Sequence, residues 1–212
     1  MQMSKAQNPL TGQMTGSMGN FVTTRLGDKN IIRAKAFMPH DAKSEAQLKH
    51  RFGFRKLVDL YPSFGGIIAE GFAQRSKNTT AYLAFMKANM PAAVDKSGDT
   101  TVIDYSKLTI ADGTLPKLSV KQATVDATGV TVSYLPMINN RANSATDEVV
   151  AMVLLKTDEL WIERQSRGGE TSDTVFIPVT DVTAEDVQAI YLFVKSADGS
   201  KTSKSVFVAI AG

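Results

Sequence analysis

The 212-residue chain has no cysteine, which excludes disulfides, thiolate nucleophiles and every zinc site built on sulfur. Histidine is nearly as scarce. His40 and His50 are the only two, and their spacing is not the four-residue step that brings two imidazoles to one helical face for a metal. A Ser-His-Asp triad is equally hard to assemble, because the base must reach both of its partners. No run of about 18 or more apolar residues exists to span a membrane as a helix. The first 30 residues show no apolar stretch of about 7–15 residues behind a basic start, so no secretory signal is expected and the protein is read as soluble and cytoplasmic when made.

Motifs that imitate chemistry fail on context. Gly12, Gly16 and Gly19 lack the Gly-Lys-Ser/Thr ending of a phosphate loop, and they neither follow a strand nor open a helix. "SRGGE" at 166–170 reads as a strand-connecting turn. The adjacent carboxylates Asp147-Glu148, Asp158-Glu159 and Glu185-Asp186 would point to opposite faces of a strand, so they cannot easily share a proton or a metal. No catalytic residue, cofactor, metal site or small-molecule substrate is expected, and the chain is read as not an enzyme.

The chain does have the composition of an ordinary globular protein, 43% apolar and 21% charged, far from that of disordered sequences. Its length suits one large domain or two small ones. The net charge of +3 conceals an asymmetry. Residues 1–90 hold thirteen Lys and Arg against five Asp and Glu, whereas residues 91–212 hold eleven against sixteen. Such polarity suggests a polyanion partner or a complementary protein surface.

Residues 1–20 mix Gly, Ser, Thr, Asn and Met without a period, so a flexible arm is expected, with Met3, Met14 and Met18 available either to fill gaps in packing at the hairpin or to enter a neighbour's apolar groove. "FVTTRLGDKNIIRAKAF" predicts a β-hairpin around a turn of about four residues, Gly27 to Asn30. Alternation gives it a basic face with Ile31, Arg33, Lys35 and Phe37. Ser44 and Gln47 match a capping box, and a helix is expected from Glu45 to about Leu60. Phe54, Leu57, Val58 and Tyr61 would form its buried stripe, with Leu48 and Phe52 in a shorter one. Lys49 and Lys56 share one flank, Arg51 and Arg55 another. Gly53, inside the helix, signals close packing or a kink. A short helix around 67–74 and a third one, capped by Asn78 and stopped by Pro91, complete a small unit expected to fold against the hairpin.

The pattern then changes to β runs at 118–125, 129–135, 148–156, 160–165, 174–179, 187–196 and 203–210, as in an antiparallel sandwich. "GVTVSYLP" at 129–136 and the closing hairpin around Ala197-Asp198-Gly199-Ser200 resemble fibronectin type III or immunoglobulin-like domains. The hairpin at 19–37 and "AKSEAQLKHRFGF" resemble an uncharacterised bacterial and bacteriophage family with a Gly-rich β start and an Ala-Gln-x-x-x-Arg-x-x-Phe helix. Ala46, Gln47, Arg51 and Phe54 occupy the motif's places, although Ser44 stands for the usual threonine and Asp41-Ala42 for Asn-Pro. Similar helices occur in phage structural proteins, but the family has no agreed activity, so the resemblance places the chain without naming its job.

The expected fold is therefore α+β, an N-terminal β-hairpin plus a small helical unit followed by an antiparallel immunoglobulin-like β-sandwich. Its parts are an arm (1–20), a basic hairpin-plus-helices domain (21–95), a connection (96–115) and the sandwich (116–212). A structural or assembly protein is the preferred function, docking on a protein partner or its own copies and located in the cytoplasm or a virion. The partner-binding candidates are Met14, Met18, Arg25, Arg33, Lys35, Lys49, Arg51, Arg55 and Lys56. The alternative is a nucleic-acid-binding protein in which those cations neutralise phosphates.

Overall fold

Alternation of branched and polar residues forms strands in both parts of the chain, but the structure, a computed structural model, combines them differently from the expected partition. It describes residues 4–6, 14–27, 29–36, 43–98, 100–136, 144–168 and 174–211. Met3, Gly12, Phe37, His40, Asp41, Ala42, Gly169 and Glu170 lie outside these residues. The chain divides into two units, residues 1–44 and 45–212.

The first unit is a four-stranded antiparallel sheet of β1 (Ser4–Ala6), β2 (Gly16–Met18), β3 (Phe21–Leu26) and β4 (Lys29–Ala34), in the order β1-β4-β3-β2. The β3–β4 pair is the expected hairpin. Its connection is tighter than four residues, since Leu26 pairs directly with Lys29 and Gly27 takes φ 60°, a left-handed angle that suits glycine. Within the segment read as a flexible arm, Ser4–Ala6 and Gly16–Met18 are strands. Gly16, Ser17 and Met18 pair with Thr23, Val22 and Phe21, and Thr23 Oγ1 donates to Gly16 O at 3.1 Å. Gly and Ser weaken a strand's sequence signal, but an adjoining ladder can still satisfy the backbone.

The second unit begins with α1 (Glu45–Leu60), a 3-10 turn (Tyr61–Phe64), α2 (Ile67–Gly71) and α3 (Ala81–Ala92). Helix α3 starts later than expected because Thr80 is its cap, its Oγ1 accepting from Leu83 N at 3.2 Å. Pro91 lies inside its last turn instead of stopping it. That turn is held by the buried Asn89, whose amide donates to Phe85 O (2.9 Å) and Thr109 O (2.8 Å) and accepts from Thr109 N (2.7 Å). A short ladder of β5 (Val94–Asp95) and β6 (Val102–Ile103) follows.

The sandwich comprises β7 (Val120–Asp126), β8 (Gly129–Tyr134), β9 (Glu148–Leu155), β10 (Leu160–Ser166), β11 (Thr174–Pro178), β12 (Val187–Lys195) and β13 (Val206–Val208). Its antiparallel sheets are ordered β10-β9-β12-β13 and β11-β8-β7. Beyond β13 the chain crosses to the other sheet, where Ala123 N donates to Ala209 O and Ala211 N to Ala123 O. One core, with Val149, Ala151, Val153, Ile190 and Leu192, lies between the sheets. A second core lies on the opposite face of the four-stranded sheet, where Val150, Met152, Leu154, Tyr191 and Phe193 meet Leu57, Phe64, Ile68 and Phe85 of the helical unit.

The helices therefore share a core with the sandwich, not a separate 21–95 domain with the hairpin. The expected 96–115 connection is also part of that core, because Leu108, Ile110 and Ala111 are buried in it. Glu70 of α2 binds two strands at once, accepting from Arg164 Nη2 and Lys195 Nζ, both at 2.8 Å. Burial raises the Glu70 carboxyl pKa, but the Lys195 hydrogen bond and the charges of Arg164 and Lys195 outweigh it, leaving the pKa below the usual 4.5. Gly53 of α1 is a close approach, since a Cβ there would overlap Val94 Cγ1. At Gly71 a Cβ would run into the carbonyl of Ile110.

Two outcomes follow. Gly71→Ala, which sets a Cβ against the Ile110 carbonyl, lowers stability by about 1–3 kcal/mol in urea denaturation at unchanged m value. Because the folded pKa of Glu70 is depressed, its stabilisation is present above the unfolded value of 4.5 and lost as pH falls through the folded one. Glu70→Gln should thus be less stable than wild type at neutral pH, and the difference should narrow below pH 4.5 in melting curves.

Candidate interaction surface

Helix α1 presents two different sides. Gly53, Leu57 and Leu60 face the core, with Val58 and Tyr61 half-buried beside them. Phe54, expected in that stripe, is 44% exposed instead. Leu57 and Leu60 anchor the helix well enough that Phe54 need not be buried. On another side Leu48 and Phe52, the latter 60% exposed, meet the exposed Val102 of β6 across a groove of about 540 Å³. Thr100 and Thr101 form one wall, and Thr101 Oγ1 donates to Lys49 O at 3.5 Å. Glu45, Lys49 and Lys56 edge it.

The charges around the groove are unequal. Lys49 Nζ lies 2.9 Å from Glu45 Oε1, one turn earlier. That hydrogen bond and the lysine's charge hold the Glu45 carboxyl below its ordinary range. Lys56 has no ion pair among the described residues. A second groove of about 410 Å³ continues from Lys56 and Val102 past Asp59 and Leu60 to Tyr105 and Asp158. Tyr105 O there accepts from the buried Tyr191 hydroxyl at 2.8 Å, and burial raises the Tyr191 pKa.

The structure brings together some of the predicted partner-binding residues and separates others. Lys49 and Lys56 share the first groove. Arg51 and Arg55 are exposed elsewhere on α1, and Arg55 Nε lies 3.9 Å from Asp59. In the N-terminal sheet Arg25 pairs with Asn30 and Arg33 with Val22. Paired residues share a face and odd-numbered steps change it, so the two arginines lie on opposite faces of the sheet. Arg25 Nε also donates to Gly27 O at 2.6 Å. Lys35 is exposed just beyond β4. Met18 is exposed opposite the exposed Phe21, whereas Met14 is half-buried and its N–H donates to Asn30 Oδ1 at 3.4 Å.

Sequence reading missed Val102 as the far wall of the groove, because β6 joins α1 only in three dimensions. It also missed Arg167, read as part of a turn. Arg167 is 2% exposed, its Nε donating to Ser144 O and its backbone N–H to Asp147 O, both at 2.7 Å. An arginine next to two glycines carries no periodic signal of burial. His50, exposed, lies with Nδ1 3.4 Å from Lys96 Nζ. No group of three or more His, Asp or Glu able to hold a metal occurs among the described residues, and no helix among them is long and apolar enough to cross a membrane.

Fold and surface together define an α+β protein with a small N-terminal sheet, and a second unit in which a β-sandwich is overlaid by helices exposing an apolar and basic groove. Residues 13–209 match a family described as "Family of unknown function (DUF6266)", and the chain belongs to it. Neither the curated proteins nor the solved structures contain a match.

The two sides of α1 predict different energetics. Leu57→Ala should cost about 2–5 kcal/mol, the usual range for a cavity in a packed core. Phe52→Ala should stay within about 0.5 kcal/mol of wild type. Guanidinium denaturation of the two variants measures the contrast.

Proposed function

We propose that the protein is a non-enzymatic structural or assembly protein, a bacteriophage virion-type component that docks through its N-terminal segment and helical unit and presents the β-sandwich. The observation carrying this reading is α1 itself, a helix anchored by Leu57 and Leu60 that exposes Leu48 and Phe52 beside the exposed Val102. An exposed apolar cluster on a rigid element is the usual mark of a protein-binding surface. Ala46, Gln47, Arg51 and Phe54, the residues of the phage-like motif, are also exposed on α1, so the motif reads as a surface feature and not a core requirement.

The nucleic-acid reading draws support from the cationic surplus of residues 1–90 and from Lys56, which has no ion pair among the described residues. Arg25 and Arg33 on opposite faces, and Lys49 and Arg55 beside carboxylates, weaken it. A duplex-binding surface gathers its phosphate contacts on one side.

Sedimentation velocity of the purified chain should show self-association, or a complex with a protein partner, and deletion of residues 1–19 should reduce it. Assembly unchanged by the deletion would remove the N-terminal segment from the docking surface. Under the rival reading, affinity for a DNA duplex falls steeply from low to physiological salt. Absence of binding at low salt eliminates that reading.

A further inference from the structure

A third depression in residues 45–212 differs in charge from the groove on α1. At the β9–β10 turn, Trp161 lies 40% exposed on the edge strand β10 and lines a depression of about 260 Å³. Its floor includes the buried Val179 and Val182. Glu159, Asp181 and Asp186 surround it against a single lysine, Lys156. Asp186 accepts from both the hydroxyl (2.6 Å) and the N–H (2.9 Å) of Thr183, hydrogen bonds that lower its carboxyl pKa. This depression is apolar at its base and negative at its edge.

The α1 groove has the opposite character. Leu48, Phe52 and Val102 supply apolar surface, and Lys56 a positive charge with no ion pair among the described residues. Two patches of one chain are thus both apolar at their base and opposite in charge at their edge, in line with the basic surplus of residues 1–90 and the acidic surplus of residues 91–212. We infer that the occupant of the α1 groove is a second copy of this chain, which inserts its Trp161 edge so that Trp161 packs on Phe52 and Lys56 meets Glu159. The contact is heterologous, joining two different patches. It rests on the assembly reading and names the partner that reading leaves open.

A heterologous contact can be tested by mixing, using Lys56→Glu and Phe52→Ala on one patch and Glu159→Lys and Trp161→Ala on the other. In sedimentation velocity at low salt the wild-type chain associates, and each variant alone does so about tenfold or more weakly. An equimolar mixture of Phe52→Ala and Trp161→Ala restores association, because each copy retains the patch the other has lost. Lys56→Glu mixed with Glu159→Lys does the same. Circular dichroism identifies any variant that fails to fold, and the remaining pair then decides. If the wild-type chain associates and the variants match it, or mixtures stay as weak as their components, this contact is wrong while the assembly reading stands. A wild-type chain that remains monomeric and takes no protein partner overturns both.

Discussion

Burial of β9 and β12 on both faces is the constraint on which the rest of residues 45–212 depends. Val149, Ala151 and Val153 enter the core between the sheets, and Val150, Met152 and Leu154 enter the core beneath the helices. A strand with apolar residues on both faces needs a layer on each side, because leaving either face in water forfeits roughly 25 cal/mol per Å² of apolar surface. The three-stranded sheet covers one face and the helical unit the other. Glu70 adds direction to that second, otherwise nonspecific layer by fixing α2 to Arg164 on β10 and Lys195 on β12.

The exposed surface follows from this arrangement. Helix α1 needs only its Gly53, Leu57 and Leu60 side to be held, so the Leu48 and Phe52 side is left without a partner inside the unit. Gly53 allows α1 to approach Val94, and the ladder that Val94 forms with Ile103 sets Val102 on the far side of the groove. The groove is thus a consequence of packing behind it, and Lys56 places a positive charge at its edge.

Much of the fold was legible because it rests on local periodicity. The limits of α1 followed from its spacing and from Ser44, and the seven β runs followed from branched residues between turn signals. The packing of the helices was less legible, although a signal was present. "VVAMVLL" and "AIYLFV" are continuous apolar runs, not the alternation expected of a sheet with one wet face, and such runs indicate a strand covered on both sides. Attention to the polar residues of 96–115 likewise hid Leu108, Ile110 and Ala111. Of the surface candidates, Lys49 and Lys56 were correctly grouped because seven residues make two helical turns. Arg25 and Arg33 were grouped by charge, and a strand's two-residue period separates them.

By itself the sequence determined the main helices, the β3–β4 hairpin and the seven sandwich strands, the absence of thiol chemistry, and the opposite charges of the two parts of the chain, since these depend on composition and short-range spacing. Only the tertiary structure decided that the helices cover the sandwich, that Phe54 is exposed while Leu108 is buried, and that Val102 completes a groove with Phe52. Those outcomes depend on which apolar surfaces meet across long separations in the chain. Hydrophobic attraction has no direction, so geometry and close packing select the partner.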